Sequence, residues 1–396
     1  LVTDRFVERK NIREISRSDL NGFGNGGQIV VERMGKSKTL AFVGHMKGKS
    51  FTVVDVSEPS RPCVAFQQER YAGTRTHKLR ILKKRYLIIN CERGDDAIGN
   101  RFDSGFRIFD MKDETNPREI AYVKVRGKGV HRFWIDEERM LAYMPCWIEG
   151  YDGRILLIYD LKRLHRPRLL SKWAYPGQKV AYGRSPPWTR YGYSYRAHGP
   201  PIRVGDRIYL GYWDAGTLVL DCKYMRNIKL VSQRNLCPPY GGATHTVLPI
   251  TREIRGRKWL IVTDEPMSND PSEADRKMLW VMDSTDEKNI VPVSTYSVRD
   301  PRLATGMGRL GPHNLHENDQ ALKEDEISAS WYSAGVRILD FSDPYRLHEN
   351  ACYVPKPDPK KQAEIQTNDL FIDHRSLIYT IDRLEAGMHV LERNHF

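Results

Sequence analysis

Residues 76–125 show the unit from which the chain is built. His77-Lys78-Leu79-Arg80-Ile81-Leu82 reads as a first strand, and Lys83-Lys84-Arg85 as a turn. Tyr86-Leu87-Ile88-Ile89-Asn90 is a β-branched second strand. A polar, glycine-bearing loop from Glu92 to Ser104 leads to Gly105-Phe106-Arg107-Ile108-Phe109-Asp110, the third strand. Asp113 to Pro117 turn the chain, and Arg118 to Val125 alternate as an outer fourth strand. Further second strands are expected at 140–144, 207–211, 258–262, 327–330 and 378–381.

The apolar phrase of the third strand returns seven times. Its terminal acids are Asp55, Asp110, Asp160, Asp221, Asp283, Asp340 and Glu392, at steps of 55, 50, 61, 62, 57 and 52 residues. A period of roughly 50 is the scale of a propeller blade, one four-stranded sheet per repeat. Each acid precedes a turn rich in Asp, Ser, Asn and Pro, where a carboxylate can bond nearby amides. The acids therefore read as turn ties rather than catalytic groups. The last repeat stops after its third strand. Asn11-Ile12-Arg13-Glu14-Ile15 nearly repeats Asn116-Pro117-Arg118-Glu119-Ile120, the opening of a fourth strand. The expected fold is thus all-β: a seven-bladed β-propeller, one domain over residues 1–396, closed by an N-terminal strand (11–16) that completes the C-terminal blade and removes two open sheet edges.

Phrases such as Ala334-Gly335-Val336-Arg337-Ile338-Leu339-Asp340 resemble the LVIVD-repeat β-propeller family over nearly the whole chain. That resemblance implies the fold and little about activity. Histidines at blade starts give a looser similarity to selenium-binding proteins and methanethiol oxidases, which implies copper; no contiguous motif accompanies it.

The formal net charge of +13 favours anionic partners, but Lys83-Lys84-Arg85 and Arg252 to Lys258 fall in exposed hairpin turns. Six cysteines show no CxxC pair, so buried free thiols are expected. No stretch approaches the ~18 apolar residues of a membrane span. There is no P-loop, Rossmann or GxSxG fingerprint, hence no nucleotide cofactor or serine triad, and no recognised nucleic-acid motif. With no signal-like segment the expected location is cytoplasmic, although the chain starts at Leu1 and processing would hide a leader. Oligomeric state has no sequence signal.

Chemistry-bearing residues gather at one register. First strands open the central channel on the face where second strands end. Five of the seven starts carry histidine: His77, His131, His198, His245 and His313; the other two are Gly27-Gln28 and Asn368. Second-strand ends add His45, Glu92, Cys146-Trp147, Trp213-Asp214, Asp264-Glu265, Trp331-Tyr332 and Asp382-Arg383. Neutral imidazoles ringed by carboxylates are metal-ligand material, so His198, His245 and His313 are candidate ligands of one divalent Fe, Mn, Cu or Zn. Metal-free acid–base work and purely structural histidines fit the same pattern. His316, three residues beyond His313, faces away and should pack; His165, His348 and His395 fall in turns or at the terminus, and His389 lies off the mouth.

The segment 175–195, with Tyr175, Tyr182, Trp188, Tyr191, Tyr193, Tyr195, Arg184 and Arg190, reads as an aromatic lid loop, or as packing on the rim. The loops 267–276 and 299–309 are also long for turns. Aromatics and arginines over a polar pocket suit a small, flat, anionic substrate. The leading expectation is an enzyme, a lyase or hydratase, with His131, Glu265 and His245 catalytic and Arg196, Arg309, Trp213, Trp331, Tyr332, His77 and Glu92 binding substrate. Alternatives are a metal-dependent oxidase and a non-catalytic protein-interaction scaffold. Burying so many polar groups without a purpose would cost stability, which argues against the scaffold.

Overall fold

The computed structural model describes residues 8–180, 185–274, 276–304, 308–318, 325–356 and 364–394. Its strands form seven antiparallel blades in chain order. Blade 1 runs through Gly26–Met34, Lys38–His45, Lys49–Asp55 and Cys63–Glu69. Blade 2 uses Leu79–Leu82, Tyr86–Arg93, Gly105–Asp110 and Arg118–Lys124; blade 3 uses Trp134–Asp136, Leu141–Trp147, Arg154–Asp160 and Arg168–Trp173. Blades 4 and 5 follow from Ile202–Val204 to Lys229–Arg234 and from Thr244–Ile254 to Val291–Tyr296. Blade 6 holds Glu326–Ser330, Val336–Asp340 and His348–Tyr353, with its innermost pairing reduced to a bridge between Leu315 and Ala329. Blade 7 holds Thr367–Ile372, Ile378–Asp382 and Met388–Arg393.

The N-terminal strand Ile12–Ser18 is the fourth strand of blade 7, with Ile12 opposite Arg393 and Ser18 opposite Met388. The ring is therefore closed as the repeat of Asn-Xaa-Arg-Glu-Ile predicts. One feature goes beyond that reading. Arg9–Lys10 also pairs with Tyr353 and Cys352, so the same segment adds an outer strand to blade 6 before crossing to blade 7.

The repeated acids tie turns. The carboxylates of Asp55, Asp110, Asp160, Asp221, Asp283 and Asp340 each accept the amide N–H two residues on, at 2.7–3.0 Å. Glu392 departs from this pattern and pairs with Arg13 on the closing strand. In blades 2 to 5 the third strands are buried up to their terminal acids, of which Asp160, Asp221 and Asp283 are half-buried, while fourth strands are half-exposed. The core lies between blades, as aliphatic and aromatic side chains of one sheet pack on the next. Cys91, Cys146, Cys222 and Cys352 are buried free thiols. His165 is exposed; His348 opens the fourth strand of blade 6 rather than a turn; His395 lies outside the described residues.

Candidate active site

Glycines let neighbouring blades close tightly on the histidine positions. A Cβ at Gly211 would stand 2.4 Å from His245 O, and one at Gly44 would stand 2.8 Å from Thr76 O. Both distances are shorter than any ordinary contact, so only glycine permits this spacing. In blades 1, 5 and 7 the first strand also carries a register shift, at Gly26/Gln28, Thr244/Thr246 and Thr367/Asp369. A bulge re-aims a side chain. That is how His245 comes to face the axis.

The result is an arc of imidazoles around the mouth. Ring centroids of His77 and His131 are 5.0 Å apart, His131 and His198 4.7 Å, His198 and His245 4.1 Å, and His245 and His313 4.4 Å. Asn368 and Gly27 take the two remaining positions, with Asn368 Nδ2 donating to Gly27 O at 2.6 Å. The arc borders a cavity of about 260 Å³, also lined by Glu92, Arg196, Trp213, Glu265 and Arg309. Ten of the residues expected at the mouth thus meet there. Tyr332 joins them from behind: its hydroxyl donates to Glu265 Oε1 at 2.7 Å, and its ring lies 4.6 Å from His313.

Trp331 is a correction. It is 1% exposed and sits in the core edge-on to Tyr296, not at the mouth. The chain turns at Tyr332, where φ is +41°, and this turns the tyrosine rather than the tryptophan toward the cavity. His45 is likewise buried away from the cavity, held by Asn25 O and Thr52 Oγ1. Asp214 caps loop amides, and Asp264 accepts from Trp280 Nε1 and Thr244 Oγ1. His316 packs on Phe371, and His389 bonds Glu14, both off the mouth as expected.

The loop 175–195 packs on the rim. Trp188 stacks on Tyr195 at 4.6 Å, and Tyr175 meets both edge-on while its hydroxyl donates to Gln233. None of its described aromatics lines the cavity; Tyr182 and Arg184 lie outside the described residues. Its successor Arg196 does reach the site, with its guanidinium 4.0 Å from the Trp213 ring.

Hydrogen bonds fix the imidazole tautomers. His131 Nδ1–H donates to Glu92 at 2.9 Å, and His313 Nδ1–H to Asn368 O at 2.6 Å. His245 Nδ1 lies 3.1 Å from Arg132 Nη1, which can only donate, and 2.8 Å from Thr246 Oγ1, whose hydroxyl can donate or accept. His131 and His313 are thus left with an Nε2 that carries no proton. His245 Nε2 is buried without a partner, and His131 Nε2 lies 3.2 Å from His198 Nε2. An outer nitrogen held by an acceptor with the lone pair turned inward, as at His131 and His313, is the pattern of metal-binding histidines. The donor set therefore fits a transition metal. The compact ligand group is His198, His245 and Glu265, whose ligand atoms lie within 4.8 Å of one another. Glu265 takes the place that the register alone gave to His313. His77, Glu92 and His131 form a second such group.

Electrostatics sharpen the site. Burial drives the pKa of all five mouth histidines well below the ordinary value, so they are neutral. Burial would raise the Glu92 carboxyl, yet Arg75 at 2.7 Å and the imidazoles hold it low. Lys78, Arg154 and Arg383 also line the cavity, and sequence reading missed Arg75, Lys78 and Arg154. One signal was there: Arg75 and His77, like Arg196 and His198, are two apart and so share a strand face. Five arginines (Arg75, Arg154, Arg196, Arg309 and Arg383) face two carboxylates, beside Lys78, whose pKa burial lowers to about 7, so the cavity carries an excess of positive charge.

The class that fold and geometry define is a β-propeller with a polar, cationic mouth. The fold is similar to the propeller domain of Cps50 (Swd1) from Myceliophteria thermophila, at 14% identity and TM-score 0.57, covering 96% of this chain and 99% of that one. It is similar to a protein from Lactobacillus plantarum at 10% identity and TM-score 0.61, covering 89% and 91%. The WD40 repeats of RRP9 match at 10% identity and TM-score 0.58 over 98% of each chain. No family model and no curated protein matches. No described helix is long and apolar enough to cross a membrane.

Proposed function

We propose that the protein is an enzyme that acts on a small anionic, aromatic substrate at the propeller mouth, as a lyase or hydratase. The observation that carries this is the His131–Glu92 pair, an imidazole with Nδ1–H on a buried carboxylate and a bare Nε2 beside a cationic cavity. Such a pair takes a proton at Nε2, and the carboxylate steadies the imidazolium that forms. Without a metal, Glu265, which accepts from Tyr332 and Arg309, would serve as the alternative base. Arginines at the rim hold the substrate anion. His198, His245 and Glu265 would hold a divalent Fe, Mn, Cu or Zn, with His313 behind Glu265 at 3.6 Å. A metal there would supply Lewis-acid polarisation of a substrate oxygen; with a redox metal the same site would suit oxidation. The phrase-level likeness to LVIVD-repeat propellers bears on the fold and adds no residue roles.

A second reading is a protein-interaction scaffold. It is favoured by the WD40 repeats among the similar structures, a likeness of fold. The two separate in one assay. Hydroxylated and unsaturated aryl acids are incubated with protein in D₂O, and substrate protons are followed by NMR. The enzyme reading expects deuterium at a substrate carbon, with the rate reduced about 10²–10⁴-fold in His131→Ala and Glu92→Gln. No exchange across the panel, with the fold intact, leaves the scaffold.

A further inference from the structure

Most charged groups at the mouth have a partner. Arg75 pairs with Glu92, and Arg309 with Glu265. Arg383 donates to Tyr332 Oη at 3.2 Å, and Lys78 Nζ to Gly27 O at 3.1 Å. Arg154 and Arg196 differ. Among the described residues neither forms an ion pair. Arg154, 4% exposed, spends its Nε on Ala197 O at 2.7 Å, while its Nη2 is buried with no partner. Arg196 Nε is also buried with no partner. Burial and the neighbouring Arg196 push the Arg154 pKa down to about 9, against the opposing pull of Glu92 and Glu265.

Two indoles wall this pair. The Arg154 guanidinium lies 5.3 Å from the Trp147 ring and 5.7 Å from Trp213; that of Arg196 lies 5.7 Å and 4.0 Å from the same rings. Trp213 is itself stacked on His198 at 5.0 Å, so a group held here sits beside the imidazole arc. Guanidinium donors without a carboxylate partner, held over indole rings by cation–π contact, match a planar carboxylate, since guanidinium geometry favours carboxylates.

We infer that Arg154 and Arg196 form a carboxylate clamp walled by Trp147 and Trp213, and that the site takes an aryl carboxylate bound by its carboxylate to those two arginines. This rests on reading the mouth as a small-molecule site. The test is equilibrium binding to the purified protein, read by quenching of Trp147 and Trp213. The probes are benzoate, its neutral isostere benzamide, and inorganic phosphate. Benzoate should quench saturably, benzamide should bind at least about tenfold more weakly, and phosphate should not displace benzoate at equal concentration. Arg196→Met should weaken benzoate at least about tenfold with an unchanged circular dichroism spectrum, and Arg196→Lys should recover part of the loss. Arg154→Met serves as the second variant, and Trp213→Phe should remove part of the quench. Equal binding of benzamide, displacement by phosphate, unchanged benzoate affinity in Arg196→Met, or no benzoate binding overturns the clamp. Because the readout is binding, a failure of the clamp leaves proton exchange at His131 untouched, and a failure of exchange leaves the clamp standing.

Discussion

Acidification should destabilise this protein above the pH at which ordinary carboxylates titrate. His45, His77, His131, His198, His245, His313 and His316 all have pKa values lowered by burial, His45 and His316 to about 4 and the rest well below normal. For a base whose folded pKa is depressed, the folded state resists protonation while the unfolded chain does not. Its contribution is whole above pH ~6.5 and is lost as the pH falls from there toward the folded value. Between pH 7.5 and 5.5 each such imidazole costs RT ln 10, about 1.4 kcal/mol. The seven together cost about 9–10 kcal/mol. Asp264 and Asp369, each raised to about 6 by burial, act in the opposite sense. They take up protons in the folded state below pH 6 and return about 1 kcal/mol apiece. The net loss, about 7 kcal/mol, is comparable with the whole stability of many proteins. Urea unfolding at the two pH values, with a chelator present so that no metal adds to the balance, measures it. A pH-stat should record uptake of about five protons on unfolding at pH 5.5. A stability change below ~2 kcal/mol, or uptake near one proton, would mean that the imidazoles titrate as in water and that the arc is not buried.

Glu92→Gln leaves the half-buried Arg75 without a counter-charge and loses the buried carboxylate that holds His131 and Trp147. It should cost about 3–5 kcal/mol in urea unfolding at pH 7.5, and a cost below ~1 kcal/mol would refute the pairing. Gly211→Ala puts a methyl 2.4 Å from His245 O and should cost ~1–3 kcal/mol, with the His245 ring signals shifted in NMR spectra. A neutral outcome would mean that blades 4 and 5 are looser than described. Among the thiols, Cys63 is exposed and Cys237 half-exposed, while burial pushes Cys91 and Cys352 up to about 12. Native protein should show one fast and one slow thiol toward a disulfide reagent, with the remainder reacting only after unfolding.

The blade count, the closing strand and the histidine register were legible because a β repeat fixes all three together: once the acid-ended phrase sets the third strand, the first strand's start follows. What a start residue then does depends on neighbours the repeat does not encode. Trp331 and Tyr332 are adjacent, and only the left-handed backbone at Tyr332 decides which faces the mouth. The compact ligand group holds Glu265 rather than His313, whose Nε2 lies 3.6 Å from the Glu265 carboxylate, a choice between neighbours that the repeat does not encode. Arg75 and Arg154 were hidden by abundance. In a chain with 63 basic residues, an arginine stands out only when its burial and its missing partner are visible. The aromatic lid failed for a related reason: tyrosines that suit a ligand also suit the rim of blade 4, and Gln233 and Tyr212 were there to receive Tyr175.

The central claim is that the imidazole arc is a chemical site with lone pairs turned inward. Its most direct test is an anomalous-difference map from crystals of the protein as purified, collected across the Mn, Fe, Cu and Zn edges. The account predicts a single metal peak in bonding contact with Nε2 of His198 and His245 and a carboxylate oxygen of Glu265, lost in His245→Ala crystals. A mouth without such a peak, in crystals grown with these metals supplied, would contradict it.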